Sequence, residues 1–264
     1  MTQPHEDVLS GSQPEAKKRQ RPVIAIDGPA GAGKSTLAAH LARRFGFLNL
    51  ETGAMYRALA LKAIENDYDF EDETPLMDLA AHTRIILEPQ LEGNRVLVDG
   101  MDVSRRIREA DVTNAASKVS VHPHLRAWMV LQQRMLGKDG GVVMEGRDIG
   151  TAVFPDAEVK IFLDAAPEVR GNRRYRQAAP GSNTKPSDKH NSGGQSPVPV
   201  TDEQQRLAEE AILRELKDRD YRDRNRAESP LKPAADAVTL DSTAMTLEEV
   251  LSHAEEIVRS HLKA

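Results

Sequence analysis

One short glycine loop restricts the fold of this chain more than any other feature. Gly28-Pro29-Ala30-Gly31-Ala32-Gly33-Lys34-Ser35 fits the pattern G-x-x-x-x-G-K-[ST] without a mismatch. It follows the apolar run Val23-Ile24-Ala25-Ile26, which has the length of a buried strand. It opens a segment over 35–45 in which Leu37, Leu41 and Phe45 recur at helical spacing. A chance Gly-rich turn has no need of that context. The glycines let the backbone bend so that successive N–H groups point at phosphate oxygens, and the positive end of the helix adds its dipole at the same spot. Lys34 has the reach to contact β- and γ-phosphates, the Ser35 hydroxyl suits Mg²⁺, and Thr36 can donate one more hydrogen bond. Gly28 to Thr36 are therefore the candidate site for ATP, with Ser35 the candidate ligand of Mg²⁺.

Further along, apolar spacing predicts helices over 54–66 and 76–81, and two strands over 84–87 and 95–98 around Glu92-Gly93-Asn94, a hairpin signal. A helical stretch over 112–135 follows. Strands are expected over 141–144 and 159–163, and a basic helix over 167–177. A charged helix over 201–227, a strand over 237–240 and an amphipathic helix over 247–262 complete the chain. Strands separated by helices argue for a parallel α/β sheet. The middle block breaks that rhythm and is read as an insertion with its own small antiparallel sheet. Residues 1–21 read as a disordered polar tail without a signal-peptide stretch. Residues 178–200, rich in Pro, Gly, Ser and Asn, read as mobile and dispensable for chemistry.

Several classes are excluded or made remote. Neither D-x-x-G nor N-K-x-D occurs, which argues against a guanine-nucleotide switch. No apolar strand ends in adjacent acids, as a helicase or transporter ATPase would require. The formal charge of −5 gives no basic field, so no nucleic-acid partner is expected. No apolar run approaches a membrane span, so no membrane partner is expected either. Without cysteine there are no disulfides or thiolate metal sites, and a cytoplasmic location is expected. The eight histidines show no ligand spacing, and Trp128, Met129 and Met135 read as core.

What remains is a phosphotransferase that must also hold an acceptor. Asn49-Leu50-Glu51-Thr52-Gly53-Ala54-Met55-Tyr56-Arg57 follows the first helix. Glu145-Gly146-Arg147-Asp148 ends an expected strand, the edge where ligands of open α/β sheets lie. Arg219, Asp223 and Arg226 share one helical face, although a solvated face gives the same pattern. Arg170, Arg173, Arg174 and Arg176 crowd the basic helix. The residues alone leave open which small acceptor is used, or whether nucleotide is bound without turnover.

Taken together, the motifs resemble those of the bacterial cytidylate kinases, in the nucleoside monophosphate kinase group. The likeness is carried by Asp27 through Thr36, by Thr52-Gly53-Ala54-Met55-Tyr56-Arg57, by Asn114-Ala115-Ala116-Ser117, by Glu145-Gly146-Arg147-Asp148-Ile149-Gly150-Thr151, by Val153-Phe154-Pro155-Asp156-Ala157, and by Arg219 through Arg226. It fails in the tail and in 178–200. The resemblance implies a three-layer P-loop kinase with a central parallel sheet. Its core would be 22–58, 136–169 and 201–264, its monophosphate-binding insertion 59–135 and its lid 170–200. It implies transfer from Mg·ATP to CMP or dCMP, by a monomer. It also implies roles. Arg57, Arg147 and Arg226 would grip the acceptor phosphate, with Thr52 beside it. Ser117, Arg126 and Asp148 would read the cytosine edge, and Arg219 and Asp223 would hold the ribose. Lys34, Arg147 and the lid arginines Arg170 and Arg174 would be catalytic.

Overall fold

The structure is a computed structural model that describes residues 19–90, 93–178 and 202–262. The tail up to residue 18 and the 179–201 stretch of the expected lid lie outside the described residues. The core opens with β1 (Val23–Asp27), fully buried, then the glycine loop, α1 (Lys34–Phe45), β2 (Leu48–Glu51) and α2 (Gly53–Glu65). It resumes with β6 (Val142–Glu145), β7 (Val159–Asp164), α6 (Pro167–Ala178), α7 (Asp202–Asn225), β8 (Val238–Asp241) and α8 (Leu247–Leu262). The five strands lie in the order β2-β6-β1-β7-β8 and every pairing is parallel. Continuous apolar runs suit such strands because helices cover both faces. Ile24 and Ile26 point to one face and pack with Leu37 and Leu41 of α1 and Val258 of α8, while Val23 and Ala25 pack on the other with Met144, Ile149 and Phe154.

Between α2 and β6 lie α3 (Glu73–Ala81), β3 (Ile85–Gln90), β4 (Gly93–Val98), β5 (Met101–Asp102), α4 (Ala110–Val119) and α5 (Pro123–Gly137). Their three strands form a separate antiparallel sheet in the order β3-β4-β5, and the helices share a core with α2. The sequence reading needs four corrections here. The 112–135 helix is two helices, because Ser120 ends α4 and Pro123, with no N–H to donate, starts α5 in its first turn. α3 begins three residues earlier than expected, where the Asp72 side chain accepts the Thr74 N–H. The short strands β2 and β5 carry too few apolar residues to stand out. Met135 is 66% exposed rather than core, whereas Met129 is fully buried. Among the described residues no helix is long and apolar enough to cross a membrane.

This order has one consequence for the site. β6 sits directly beside β1, so the glycine loop after β1 and the Gly146–Asp148 segment after β6 leave the sheet side by side.

Candidate functional site

The loop takes the shape its glycines permit. Gly28 has φ of 147°, and a Cβ there would lie 1.9 Å from the Leu163 carbonyl oxygen of β7, so no other residue fits. Lys34 is 5% exposed and its Nζ donates to the Pro29 carbonyl at 2.8 Å. Burial, reinforced by Arg147 and Arg219, pulls its ammonium pKa down to about 7. The Ser35 hydroxyl donates to Glu145 at 2.5 Å. Burial pushes the Glu145 carboxyl up, opposed by Lys34. Sequence reasoning placed Glu145 in a motif but gave it no task. The signal was an acid ending a strand, and only the strand order shows that this strand adjoins the loop.

Asp27, just before the loop, accepts the N–H groups of Ile149 at 2.8 Å and Gly150 at 2.7 Å. Those two residues open the π-helical turn Ile149–Val153 that follows Asp148. One carboxylate thus fastens donor loop to acceptor strand end. Burial pushes the Asp27 carboxyl up from 3.8 to about 6, although these backbone donors pull the other way. The folded protein therefore holds this proton more tightly than the unfolded chain. The stability it contributes is complete below the unfolded value and is lost as pH rises through 6. The stability difference between wild type and Asp27→Asn is expected to move against wild type by up to about 3 kcal/mol between about pH 4 and pH 7. Urea unfolding at both pH values checks this, because the other carboxylates titrate in both proteins and cancel.

A cavity of about 730 Å³ joins the loop to the expected acceptor residues. Ala30 to Thr36 line its donor end, and Gly28 and Pro29 are not among the lining residues. Arg174 lines it from α6. Arg170, the other lid arginine expected to be catalytic, is not among the lining residues. It is 2% exposed, and its three guanidinium nitrogens donate to the carbonyls of Ala165 (2.8 Å) and Ala30 (2.9 Å) and to Asp220 (2.5 Å). Through these three bonds it ties the glycine loop to α6 and α7. Its neighbour Arg173 lines the cavity and donates to the Ala32 carbonyl at 3.2 Å.

At the far end, Arg126 is 2% exposed and donates to Asp148 at 2.5 Å and to the Ser120 carbonyl at 3.1 Å. Its guanidinium carbon lies 5.6 Å from the centre of the Tyr56 ring, whose hydroxyl burial pushes up to about 12. Arg226 is expected to grip the acceptor phosphate together with Arg57 and Arg147. It lies 3.9 Å from Asp148 and 3.5 Å from Asp223, in the same group as Arg126. Ser117 Oγ, Arg126 Nε and Arg226 Nη2 are buried here without a hydrogen-bond partner. Buried polar groups left unsatisfied cost about 1–3 kcal/mol each, so three together at a cavity wall mark a place built for a polar ligand.

Between the two ends, Arg147 Nε donates to Asp223 at 2.9 Å. Burial alone would raise the Asp223 carboxyl, but Arg147, Arg219 and Arg226 outweigh it and hold it low. Burial and Arg147 bring Arg219 down to about 10, and its Nε lacks a partner. Thr52 donates to the Glu145 carbonyl at 2.8 Å. A Cβ on Gly146 would come within 2.9 Å of the Thr52 oxygen, which is why that position is glycine. Arg57 donates to Glu51 at 2.7 Å, and Arg108 reaches the other oxygen of the same carboxylate at 3.3 Å. Arg108 also lines the cavity, yet nothing in its sequence neighbourhood singled it out.

The geometry agrees with comparison to known proteins. The model of the family described as cytidylate kinase matches residues 24–190 and 200–260. A cytidylate kinase of Solibacter usitatus is 46% identical, with 93% of this chain and 95% of that protein aligned. One of Aeromonas salmonicida is 43% identical over 88% of this chain and 91% of its own length. One of Enterococcus faecalis is 42% identical over 89% and 95% respectively. With a matching family model over most of its length and relatives this similar end to end, the chain belongs to the cytidylate kinase family.

Proposed function

We propose that the chain transfers the γ-phosphoryl group of ATP to CMP or dCMP, giving ADP and CDP or dCDP. The observation that carries this reading is the single cavity, with a phosphate loop at one end and unsatisfied buried donors beside an Arg–Asp pair at the other. Cytosine presents an amino donor next to acceptor atoms. A carboxylate and an arginine side by side complement that edge, and the Ser117 hydroxyl adds an adaptable partner. Arg57, Arg147 and Arg108 hold the acceptor phosphate between the base and the loop, because a guanidinium fork matches phosphate oxygens. Arg219 and Asp223 hold the ribose, the carboxylate accepting from a hydroxyl.

Both reactants are anions, so the problem is repulsion and alignment. Lys34, Arg147 and Arg174 supply positive charge around the transferring group, which an acceptor oxygen attacks as the bond to the ADP leaving oxygen breaks. The acceptor phosphate is already ionised, so no strong general base is required. Ser35 and Glu145 are hard oxygen donors that suit Mg²⁺, which favours few protein ligands and completes its shell with phosphate oxygens and water. Ser35 and Glu145 would hold the ion, which would supply positive charge against the β- and γ-phosphates.

A coupled ADP-release assay across nucleoside monophosphates and non-nucleotide acceptors tests the proposal. Fast turnover with CMP and dCMP is the expected result. Turnover confined to a non-nucleotide acceptor, or ATP binding without turnover on any acceptor, overturns it.

A further inference from the structure

β2 is the edge strand of the core sheet. Its Leu48 and Thr52 N–H groups donate toward β6, to the carbonyls of Gly141 and Glu145. Residues 49 and 51 therefore turn their backbone groups outward, where no further strand of that sheet pairs with them. A single side chain from the insertion meets them. Asn94, on β4 and 6% exposed, accepts the Glu51 N–H at 2.8 Å and donates to the Asn49 carbonyl at 2.7 Å. A primary amide carries the same donor and acceptor as a peptide unit, so Asn94 acts as one residue of an extra ladder. Its other neighbours place it at a junction. It opposes Pro89 across the β3–β4 hairpin, and the adjacent Gly93 lies over Arg108, whose Nη2 would be 3.7 Å from a Cβ at that glycine.

The peptide that Asn94 holds belongs to Glu51. The Glu51 carboxylate, with its side chain 12% exposed, is the shared partner of Arg57 and Arg108, and both arginines line the cavity. Burial alone would raise this carboxyl, but the two arginines overcome it and hold it below the usual carboxylate range. The contact therefore runs from the small sheet through one amide to one carboxylate, and from there to two guanidinium groups.

We infer that Asn94 is a positioning residue for the acceptor phosphate: its amide fixes the Glu51 backbone, and Glu51 sets the guanidinium groups of Arg57 and Arg108. The inference rests on reading this cavity as the site of a cytidine monophosphate. It differs from a role in holding the insertion in place, because it predicts a loss confined to ligands that carry the phosphate. Lost glue weakens every ligand.

Calorimetric titration of the wild type and Asn94→Ala with CMP, cytidine and ATP separates these roles. In the wild type CMP binds more tightly than cytidine. In Asn94→Ala the affinity for CMP falls by about tenfold, the size of one or two net hydrogen bonds. Affinities for cytidine and ATP stay within about twofold. If Asn94→Ala does not fold, Asn94→Ser, which retains one hydrogen-bonding group, carries the same comparison. Glu51→Gln supplies a second measurement. Acting through Glu51, the two substitutions give losses in CMP affinity that do not add in the double variant. An unchanged CMP affinity, an equal loss for CMP and cytidine, or additive losses each overturn the inference. A wild type that shows no preference for CMP over cytidine overturns the underlying reading of the site instead.

Discussion

Lys34→Met is expected to lower turnover by at least about a thousandfold, roughly 4 kcal/mol of barrier, while leaving the protein folded. The two halves of this expectation have the same cause. Lys34 is buried beside Arg147 and Arg219, and with no phosphate to neutralise it the fold works against its charge. Methionine keeps most of the stem volume, and removing the repelled ammonium offsets the loss of its bond to the Pro29 carbonyl, so the melting temperature of the ligand-free protein stays close to that of wild type. What disappears is the loop cation proposed to reach the transferring phosphoryl group. On the proposed reading CMP is held by Arg57, Arg126 and Asp148, tens of residues away in sequence, so its affinity is expected to stay. Steady-state turnover, a thermal melt and a CMP titration on one preparation decide the matter. Turnover within tenfold of wild type removes the loop from the chemistry, and a collapsed melt means that Lys34 is structural.

Lys34 could be assigned from sequence because phosphate loops are local. Eight consecutive residues carry the whole device, and the strand before and helix after are short-range apolar patterns. The same locality explains why Arg147 and Asp148 were found: they sit in one tetrapeptide at a strand end. Residues whose meaning depends on strand order were harder. Glu145 reads as one more acid until β6 is seen to lie against β1, which brings it to the Ser35 hydroxyl. Asp27 reads as a loop residue until its carboxylate is found on the N–H groups of Ile149 and Gly150, more than a hundred residues away. Arg170 shows a different difficulty. Four arginines in one basic helix look alike in sequence, but this one already donates to Asp220, Ala30 and Ala165. Charge counted along a helix says which residues can meet a phosphate, and burial decides which of them already has another partner.

Asp148→Asn is expected to reduce kcat/KM for CMP by about a thousandfold and to erase the preference for CMP over UMP. Asp148 is 5% exposed and pairs with Arg126 through one carboxylate oxygen, with Arg226 3.9 Å from the other. A carboxylate accepts and cannot donate, so it favours the amino group of cytosine and opposes the carbonyl that uracil offers at the same position. Asparagine has one oxygen and one amino group and can turn either toward the base. It also leaves two buried arginines short of negative charge, a change that costs roughly 3–5 kcal/mol when a buried pair is broken from one side. Stability and specificity are therefore entangled in this variant, and Ser117→Ala separates them. The Ser117 hydroxyl is buried without a partner, so deleting it removes an unmet polar group and leaves the melt unchanged or higher. With CMP bound, the same hydroxyl has a partner, so KM for CMP rises by about tenfold while KM for ATP does not move. A stable Ser117→Ala enzyme with unaltered KM for CMP places the base elsewhere in the cavity. If KM for CMP rises alone, the unsatisfied atoms around Arg126 are the cytosine site, held desolvated in advance so that binding has their hydrogen bonds to gain.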